Sequence, residues 1–344
     1  MKPLDEEREI IERRFNRAIE SKKIPMDVIV DIDKLTGDAS TRRYFRLNAK
    51  ESSYVICLDK PLETPVEDYP FYQVQSFLHR QKIRVPIIYE IDLVEGFLLE
   101  EDLGDQTLIK ELMFLKDKEA EFKIYKDCID LILKVHHLKV PNDERLQYRK
   151  LSFDFSKLMS EMDFTLDYLF TKFLKHKISD RESTILKTHL GNICVELANQ
   201  PMVLTHRDYH SRNIMIKNGE LVLIDFQDAR MGIPQYDLVS ILEDCYYSLD
   251  QENVDKLKIY YYETLPCKDL GQENYDKFLR LYDLMTVQRV FKAVGSFAYI
   301  YNWRRDKRYI KYIGFAMEKV RKVLMKYPEF NELRLCMNKI YYEN

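Results

Sequence analysis

The sequence has no apolar run that approaches the roughly 20 residues needed by a membrane-spanning helix. Residues 1–8 are charged and have no apolar centre, so we expect no signal peptide. The six cysteines are scattered and form no Cys-x-x-Cys pair, which argues against a zinc site and against a disulfide framework. These absences favour a cytoplasmic protein whose thiols are reduced, with no membrane partner.

Positive and negative charges are nearly balanced. The sequence has 54 lysines and arginines against 57 aspartates and glutamates, which gives a formal net charge of -3. This balance gives no electrostatic case for binding to a nucleic acid or to a membrane surface. We find no internal repeat, low-complexity tract or flexible linker in the sequence. The 344 residues, 46% of them apolar, are enough for one large two-lobed domain or for two smaller ones.

The most informative stretch of the sequence is 204–228. Two short apolar runs of strand length lie within it, at 214–216 and 221–224. Asn218 and Gly219 between them are a strong hairpin signal, because both residue types tolerate a positive φ. The stretch therefore predicts a loop, a strand, a tight turn and a second strand.

Three oxygen-bearing side chains surround this predicted hairpin. Asn213 precedes its first strand, Asp225 follows its second strand, and Asp208 lies on the loop that leads in. Mg²⁺ takes oxygen ligands and usually only one or two carboxylates, so Asn213 and Asp225 suit it as ligands. Asp208 is placed to accept the proton of an attacking hydroxyl. Phosphoryl transfer depends mainly on positioning and charge neutralisation, and this set of residues supplies both.

The spacing of these residues reproduces that of the protein-kinase catalytic loop, with His-Arg-Asp at 206–208 followed after four residues by Asn213. Asp225 and Phe226 take the place of the magnesium-binding Asp-Phe-Gly, and Gln227 replaces its glycine. A lone His-x-Asp means little, and an aspartate after an apolar strand is often a cap. Here the motif at 206–213 and the pair Asp225-Phe226 both match, and a hairpin joins them. This combination favours a phosphoryl-transfer site over a chance match.

Further motifs accompany this stretch in a fixed order, at 37–46, 101–105, 236–240, 288–297 and 305–306. With them, the sequence resembles the aminoglycoside phosphotransferase and choline kinase family. More narrowly, it resembles the bacterial anomeric kinases of N-acetylmuramate and N-acetylglucosamine that act in peptidoglycan (cell-wall) recycling. The resemblance implies an α+β, two-lobed protein-kinase-like fold with a small β-rich N-lobe and a larger, mostly helical C-lobe. It also implies ATP-dependent phosphorylation of a sugar hydroxyl, the anomeric one, to give a sugar 1-phosphate.

The resemblance implies where ATP binds. Residues 1–103 form the nucleotide-covering N-lobe, and 104–344 form the C-lobe with the catalytic loop and the substrate pocket. On spacing alone Gly37, Asp38, Ala39 and Ser40 would be an ordinary turn, and the family makes them a contact for the ATP phosphates. Glu101 and Leu103 lie where the chain crosses between the lobes and where backbone groups hydrogen-bond adenine.

The cation that neutralises the ATP phosphates is harder to assign, since the strand lysine of protein kinases is not clearly present. Lys60 follows the third predicted strand, but a proline comes directly after it. Arg42 and Arg43 alternate across a strand, so only one of them can face the cleft. We favour Arg43.

Five side chains are candidates for binding the acceptor: His210, Arg212, Gln227, Asp228 and Arg289. Arg212 suits a carboxylate such as a lactyl group, because a guanidinium makes bidentate contacts. His210, Gln227 and Asp228 suit sugar hydroxyls and an acetamido group. Hydrogen bonding within the loop is the alternative role for these four, and a buried structural role is the alternative for Arg289.

Other acceptors remain open on this sequence, among them an aminoglycoside, choline or another small hydroxyl compound. An acidic pocket would favour a cationic acceptor, and Arg212, Arg230 and Arg289 argue against one. The weak phosphate loop and the missing strand lysine motivate a further alternative, a nucleotide-binding pseudokinase. The intact Asp208, Asn213 and Asp225 argue instead for an enzyme. We expect a monomer that acts on a small-molecule sugar.

Overall fold

The computed structural model describes residues 3–35, 42–115, 117–265 and 274–343. Contacts between Cα atoms divide the chain into two compact units. Unit 1 comprises Met1–Gln106 and Met215–Gln227, and unit 2 comprises Thr107–Ile214 and Asp228–Asn344. The chain thus leaves unit 2 at the end of the predicted catalytic loop, adds a hairpin to unit 1, and returns to unit 2.

Nine strands occur in the part of the chain that the structure describes. They are β1 Ile29–Lys34, β2 Arg43–Ala49, β3 Ser53–Leu58, β4 Ile88–Asp92, β5 Phe97–Glu101, β6 Val203–Thr205, β7 Ile214–Lys217, β8 Glu220–Leu223 and β9 Arg230–Gly232. The first five form one antiparallel sheet in the order β1-β2-β3-β5-β4. The others form two small pairs, β6 with β9 and β7 with β8.

Twelve α-helices lie in the described ranges. They are α1 Asp5–Glu20, α2 Pro70–Arg80, α3 Leu108–Leu112, α4 Lys118–His136, α5 Gln147–Lys150, α6 Phe155–Thr165, α7 Asp180–Ala198, α8 Gln235–Leu242, α9 Gln251–Thr264, α10 Tyr275–Arg304, α11 Ile310–Leu324 and α12 Asn331–Tyr342. Only α1 and α2 belong to unit 1. The expected β-rich N-terminal part and mostly helical C-terminal part are therefore both present.

The core of unit 1 lies between α1 and one face of its sheet. Ile11, Phe15 and Ala18 recur at helical spacing on α1 and are fully buried. They pack in one cluster with Phe45 and Leu47 of β2. Because successive side chains of a strand point to opposite faces, the residues between them on β2 point away from α1.

The hairpin predicted around Asn218 and Gly219 is confirmed. Both residues have positive φ, 52° and 81°, as a tight two-residue turn requires. The hairpin packs on unit 1 through Met215 and Val222, which form an apolar cluster with Leu103. Unit 1 thus holds the strand that ends just before Asp225.

The sheet face opposite α1 carries a buried carboxyl group, that of Glu100 on β5. Glu100 is 8% exposed, and among the described residues its Oε1 atom has no hydrogen-bond partner. Burial raises the pKa of Glu100 to about 7, although the Arg42 guanidinium opposes the shift. In the folded chain this group is therefore protonated well above its ordinary pKa of 4.5.

Glu100→Gln is expected to stabilise the protein at alkaline pH and to matter less in acid. Because the folded-state pKa is raised, the stability that the protonated acid contributes is present below pH 4.5 and is lost as the pH rises through 7. Between pH 5 and pH 8 the loss is about 2–3 kcal/mol, and glutamine abolishes it. Urea unfolding of both proteins at the two pH values measures this. An equal difference between the proteins at both pH values would contradict the assignment.

Unit 2 is built around α10, which is 30 residues long. The sequence pattern predicts one helix over 153–175, but α6 ends at Thr165 and continues as a π-helical segment, Leu166–Phe173. Thr165 Oγ1 donates to the main-chain oxygens of Glu161 (2.9 Å) and Phe291 (3.3 Å), so α10 lies very close at this point. Gly295 permits the approach, since a Cβ there would be 2.3 Å from Thr165 Oγ1.

The five cysteines in the described part of the chain are free and buried: Cys57, Cys128, Cys194, Cys245 and Cys336. Burial raises the pKa of each thiol. These thiols are therefore almost entirely protonated at neutral pH. Of the helices that the structure describes, none combines the length and the apolar character that crossing a bilayer requires.

Candidate active site

The loop between β6 and β7 is held in place by buried carboxylates of α8 and the segment after it. Asp237 accepts hydrogen bonds from the main-chain N–H groups of His206 (2.7 Å) and Arg207 (2.9 Å). Arg207 has a φ of 81°, which residues other than glycine rarely adopt, so these bonds stabilise an unfavourable backbone conformation. Farther along the loop, Asp244 accepts from both the N–H and the hydroxyl of Ser211 (2.9 and 2.5 Å).

The Asp208 carboxylate lies in a ring of cations. Its Oδ1 atom is 3.3 Å from Arg289 Nη2 and 3.5 Å from Lys292 Nζ, and its Oδ2 atom is 3.7 Å from Arg207 Nε. Burial alone would raise the pKa of Asp208, but Lys292, Arg289 and Arg207 outweigh it and hold the pKa well below the usual range. The side chain is still 22% exposed. Asp208 is therefore an ionised acceptor that remains accessible.

Asp208 opens into a cavity of about 150 Å³ within unit 2. The cavity is bounded by the loop between β6 and β7, by α8 with the residues after it, and by α10. Its lining residues are Asp208, His210, Val239, Ser240, Glu243, Asp244, Cys245, Tyr246, Arg289, Val290, Lys292, Ala293, Ser296 and Phe297. Such a concave site with an ionised carboxylate in its wall suits a small hydroxyl-bearing acceptor.

Of the predicted acceptor-binding residues, His210 and Arg289 line this cavity. Arg212 donates through Nη1 to the Tyr309 hydroxyl (3.0 Å), and its guanidinium lies 5.0 Å from the centre of the Tyr246 ring. Tyr246 is itself a cavity residue, so Arg212 contacts the cavity wall without lining the cavity.

The remaining two predicted acceptor residues have local partners. Asp228 forms a short ion pair with Arg207, the residue preceding Asp208. Gln227 belongs to unit 1, where its Nε2 atom donates to Asp225 Oδ1 (2.7 Å). Both contacts match the alternative role of hydrogen bonding around the loop.

The two predicted metal ligands are one amide and one carboxylate. Asn213 donates through Nδ2 to the main-chain oxygen of Asp208 (3.0 Å), which ties it to the catalytic loop. Asp225 is exposed and has a φ of 62°. Their amide and carboxylate oxygens are the hard ligands that Mg²⁺ prefers, so the donor chemistry fits this ion.

Of the residues predicted to contact the ATP phosphates, the structure describes only Arg43. Gly37, Asp38, Ala39 and Ser40 lie outside the described residues. Arg43 lies on the α1 side of the sheet, with Nη1 2.8 Å from Glu7 Oε1 and a side chain that is 45% exposed. Arg42 instead bonds Asp59, with Nε 3.0 Å from Oδ2. The two arginines therefore have different partners, as alternation along the strand predicts.

Several contacts within unit 1 hold the predicted adenine-binding segment in place. The Glu101 carboxylate pairs with Arg84 at short distance and lies 3.2 Å from Lys217 Nζ. Lys217 also donates to the main-chain oxygen of Asp102 (2.5 Å). Leu103 is buried against the hairpin. The hairpin that carries Asp225 therefore supports this crossover segment.

Sequence reasoning did not assign roles to three residues around Asp208: Arg207, Asp244 and Lys292. Two of them carried a signal. Arg207 belongs to the His-Arg-Asp motif, and Lys292 follows Arg289 by three residues, a spacing that places both on the same face of a helix. Asp244 had no such signal, because its contact with Ser211 spans 33 positions.

The family of the chain follows from a direct comparison. The sequence profile of the phosphotransferase enzyme family (APH) matches residues 31–274. The chain belongs to this family. The N-acetylmuramate/N-acetylglucosamine kinase of Pseudomonas putida is 31% identical over 301 residues, covering 87% of this chain and 85% of that protein. The kinase of the same name from Neisseria meningitidis is 28% identical over 304 residues, with 88% of each chain covered.

Solved structures share the fold of this phosphotransferase. The gentamicin complex of APH(2″)-IIa has a TM-score of 0.60 at 19% identity, covering 93% of this chain and 97% of that one. The choline kinase LicA of Streptococcus pneumoniae has a TM-score of 0.57 at 14% identity, covering 91% and 99%. The predicted α+β protein-kinase-like fold and the predicted class, a phosphotransferase with a hydroxyl acceptor, are thereby confirmed.

Proposed function

We propose that this phosphotransferase transfers the terminal phosphoryl group of ATP to the anomeric hydroxyl of an amino sugar, N-acetylmuramate or N-acetylglucosamine, and releases a sugar 1-phosphate. The observation that carries the proposal is the ionised Asp208 in the wall of a small cavity. The relatives that are 28–31% identical over most of their length bear the name of kinases for these two sugars. The reaction would serve the reuse of cell-wall sugars.

In this mechanism Asp208 accepts the proton of the acceptor hydroxyl as the oxygen attacks phosphorus in line. The new bond joins the sugar oxygen to phosphorus, the bond from phosphorus to the ADP oxygen breaks, and ADP leaves. Asn213 and Asp225 would hold Mg²⁺, which supplies neutralisation of the phosphate charge when bound. Asp237 and Asp244 keep the loop rigid, so Asp208 presents a fixed oxygen to the acceptor.

The same proposal assigns a role to each of the two parts of the chain. Residues 1–103 cover the nucleotide, with 37–40 and Arg43 at its phosphates and with the backbone of Glu101 and Leu103 at adenine. Residues 104–344 provide the catalytic loop and the acceptor site. The chain acts as a monomer on a small molecule in the cytoplasm.

Within the acceptor site, His210 and Arg289 read sugar hydroxyls from the cavity wall. Arg212, which lies beside Tyr246 of the cavity wall, would bind a carboxylate substituent such as a lactyl group that extends past that ring. The cavity wall sets the carboxylates of Asp208, Glu243 and Asp244 against the cations of Arg289 and Lys292, and Glu243 also pairs with Lys319 (3.0 Å), so its charge does not single out a cationic acceptor such as choline.

ATP consumption with a panel of acceptors tests this proposal. The panel contains N-acetylmuramate, N-acetylglucosamine, glucose, choline and kanamycin, each at the same concentration with ATP and Mg²⁺. We expect the two amino sugars to give kcat/KM values at least about a hundred-fold above the other acceptors. Preferential turnover of kanamycin or choline would instead assign the chain to an aminoglycoside or choline kinase. A lack of ATP consumption with every acceptor would favour a pseudokinase.

A further inference from the structure

We propose that Lys292 binds the phosphate of the product, and so neutralises the phosphoryl group as it arrives on the acceptor oxygen. This inference rests on the proposed role of Asp208 and adds a residue to the same site. Lys292 lies on α10, lines the cavity, and places Nζ 3.5 Å from Asp208 Oδ1.

The two cations of α10 that face Asp208 are held differently. Arg289 is anchored, because Nε donates to the Ser240 hydroxyl (2.9 Å) while its guanidinium lies 5.6 Å from the centre of the Tyr236 ring. Lys292 reaches Asp208 at a longer distance through a flexible four-carbon chain. Arg289 is therefore the fixed counter-ion of the carboxylate, and Lys292 is the cation that can turn toward a new anion.

The other nearby carboxylate does not hold Lys292 in place. Glu161 interacts electrostatically with Lys292, but its Oε1 atom pairs with Lys157 (3.1 Å) and its Oε2 atom accepts from Gln288 (3.0 Å). The Lys292 side chain is 15% exposed and lines the cavity that Asp208 opens into. Its ammonium group, 3.5 Å from Asp208 Oδ1, therefore lies at the edge of the space proposed for the acceptor.

The phosphate of the product is the ligand that we propose for Lys292. The acceptor oxygen must touch Asp208 to give up its proton, and the phosphoryl group becomes bonded to that same oxygen. A phosphate one bond away from an atom in contact with Asp208 lies within reach of a cation 3.5 Å from the carboxylate. Once Asp208 has taken the proton it is neutral, and the negative charge beside Lys292 is then carried by the phosphate. Lys292 moves no proton in this step.

Lys292→Met tests the proposal by comparing two ligands that differ only in the phosphate. Isothermal titration calorimetry with N-acetylglucosamine 1-phosphate and with N-acetylglucosamine gives the Kd of each. We expect the variant to raise the Kd of the phosphorylated sugar about ten- to a hundred-fold and that of the free sugar less than about two-fold. The value of kcat should fall by at least about a hundred-fold.

Lys292→Arg and Lys277→Met are the matched variants. Arginine keeps the charge and should restore phosphate-dependent binding to within about five-fold of the wild type. Lys277 is an exposed lysine in the first turn of the same helix, and its replacement should change neither Kd. Lys292→Gln, which retains length and polarity, replaces the methionine variant if that variant does not fold.

Two results would overturn the proposal. One is an equal rise in the Kd of both ligands, which would make Lys292 a structural counter-ion only. The other is no selective loss of phosphate binding in either neutral variant. If the wild type phosphorylates a different acceptor, the proposed sugar is wrong, and the same pair of titrations is made with that acceptor and its phosphate. The two failures are therefore distinguishable.

Discussion

Asp208→Asn is expected to lower kcat about a thousand-fold with little change in the Kd of ATP. Asparagine has nearly the same shape but cannot take a proton, and its amide NH₂ group would face Arg289 or Lys292 where an anion stood. The acceptor hydroxyl therefore loses its base, while the residues proposed for the nucleotide are untouched. Steady-state turnover at saturating ATP and N-acetylglucosamine, together with calorimetric ATP binding, measures both quantities.

Asp167→Asn is the control for this substitution. Asp167 pairs with Lys172 on the surface of unit 2, with both side chains nearly half exposed, so the same chemical change should leave turnover unaltered. If Asp208→Asn kept more than about a tenth of the wild-type kcat, Asp208 would be excluded as the base.

Asp225→Asn is expected to lower kcat by about a hundred-fold or more and to raise the Mg²⁺ concentration needed for half-maximal rate at least about ten-fold. Asparagine is the appropriate replacement because Asp225 has a φ of 62°, a conformation that asparagine tolerates better than alanine does. The variant keeps the backbone and one oxygen but loses the negative charge that holds the ion. Turnover measured against Mg²⁺ at fixed ATP reports both effects.

Glu220→Gln provides the matched change in the same hairpin. Glu220 starts β8, and its side chain is 72% exposed, so loss of its charge should not alter the Mg²⁺ dependence. Wild-type Mg²⁺ dependence in Asp225→Asn would remove this residue from the metal site.

The sequence was sufficient to predict those elements that depend on residues close together in the chain. Asn218 and Gly219 predicted the turn because a positive φ is a property of individual residue types. The spacing of Ile11, Phe15 and Ala18 along α1 is that of a helix with one apolar face, and all three side chains are buried. Both patterns involve residues only a few positions apart.

The electrostatics of the candidate site could not be predicted in this way. Arg289 contacts Asp208 across 81 positions, and Ser211 contacts Asp244 across 33. Neither pairing follows from spacing, because it depends on how α8 and α10 pack against the catalytic loop. The π-helical segment after Thr165 was likewise missed, since its departure from a regular helix accompanies a close tertiary contact with α10.

Carbon–phosphorus coupling in the reaction product tests the central claim most directly. N-acetylglucosamine labelled with ¹³C is incubated with ATP, Mg²⁺ and the wild-type protein, and the product is examined by ³¹P and ¹³C NMR. A single phosphate coupled to C1 of the sugar, formed by the wild type and not detected with Asp208→Asn after the same short incubation, is the predicted result. A phosphate on any other carbon, or equal amounts of product from both proteins in that time, would contradict the account.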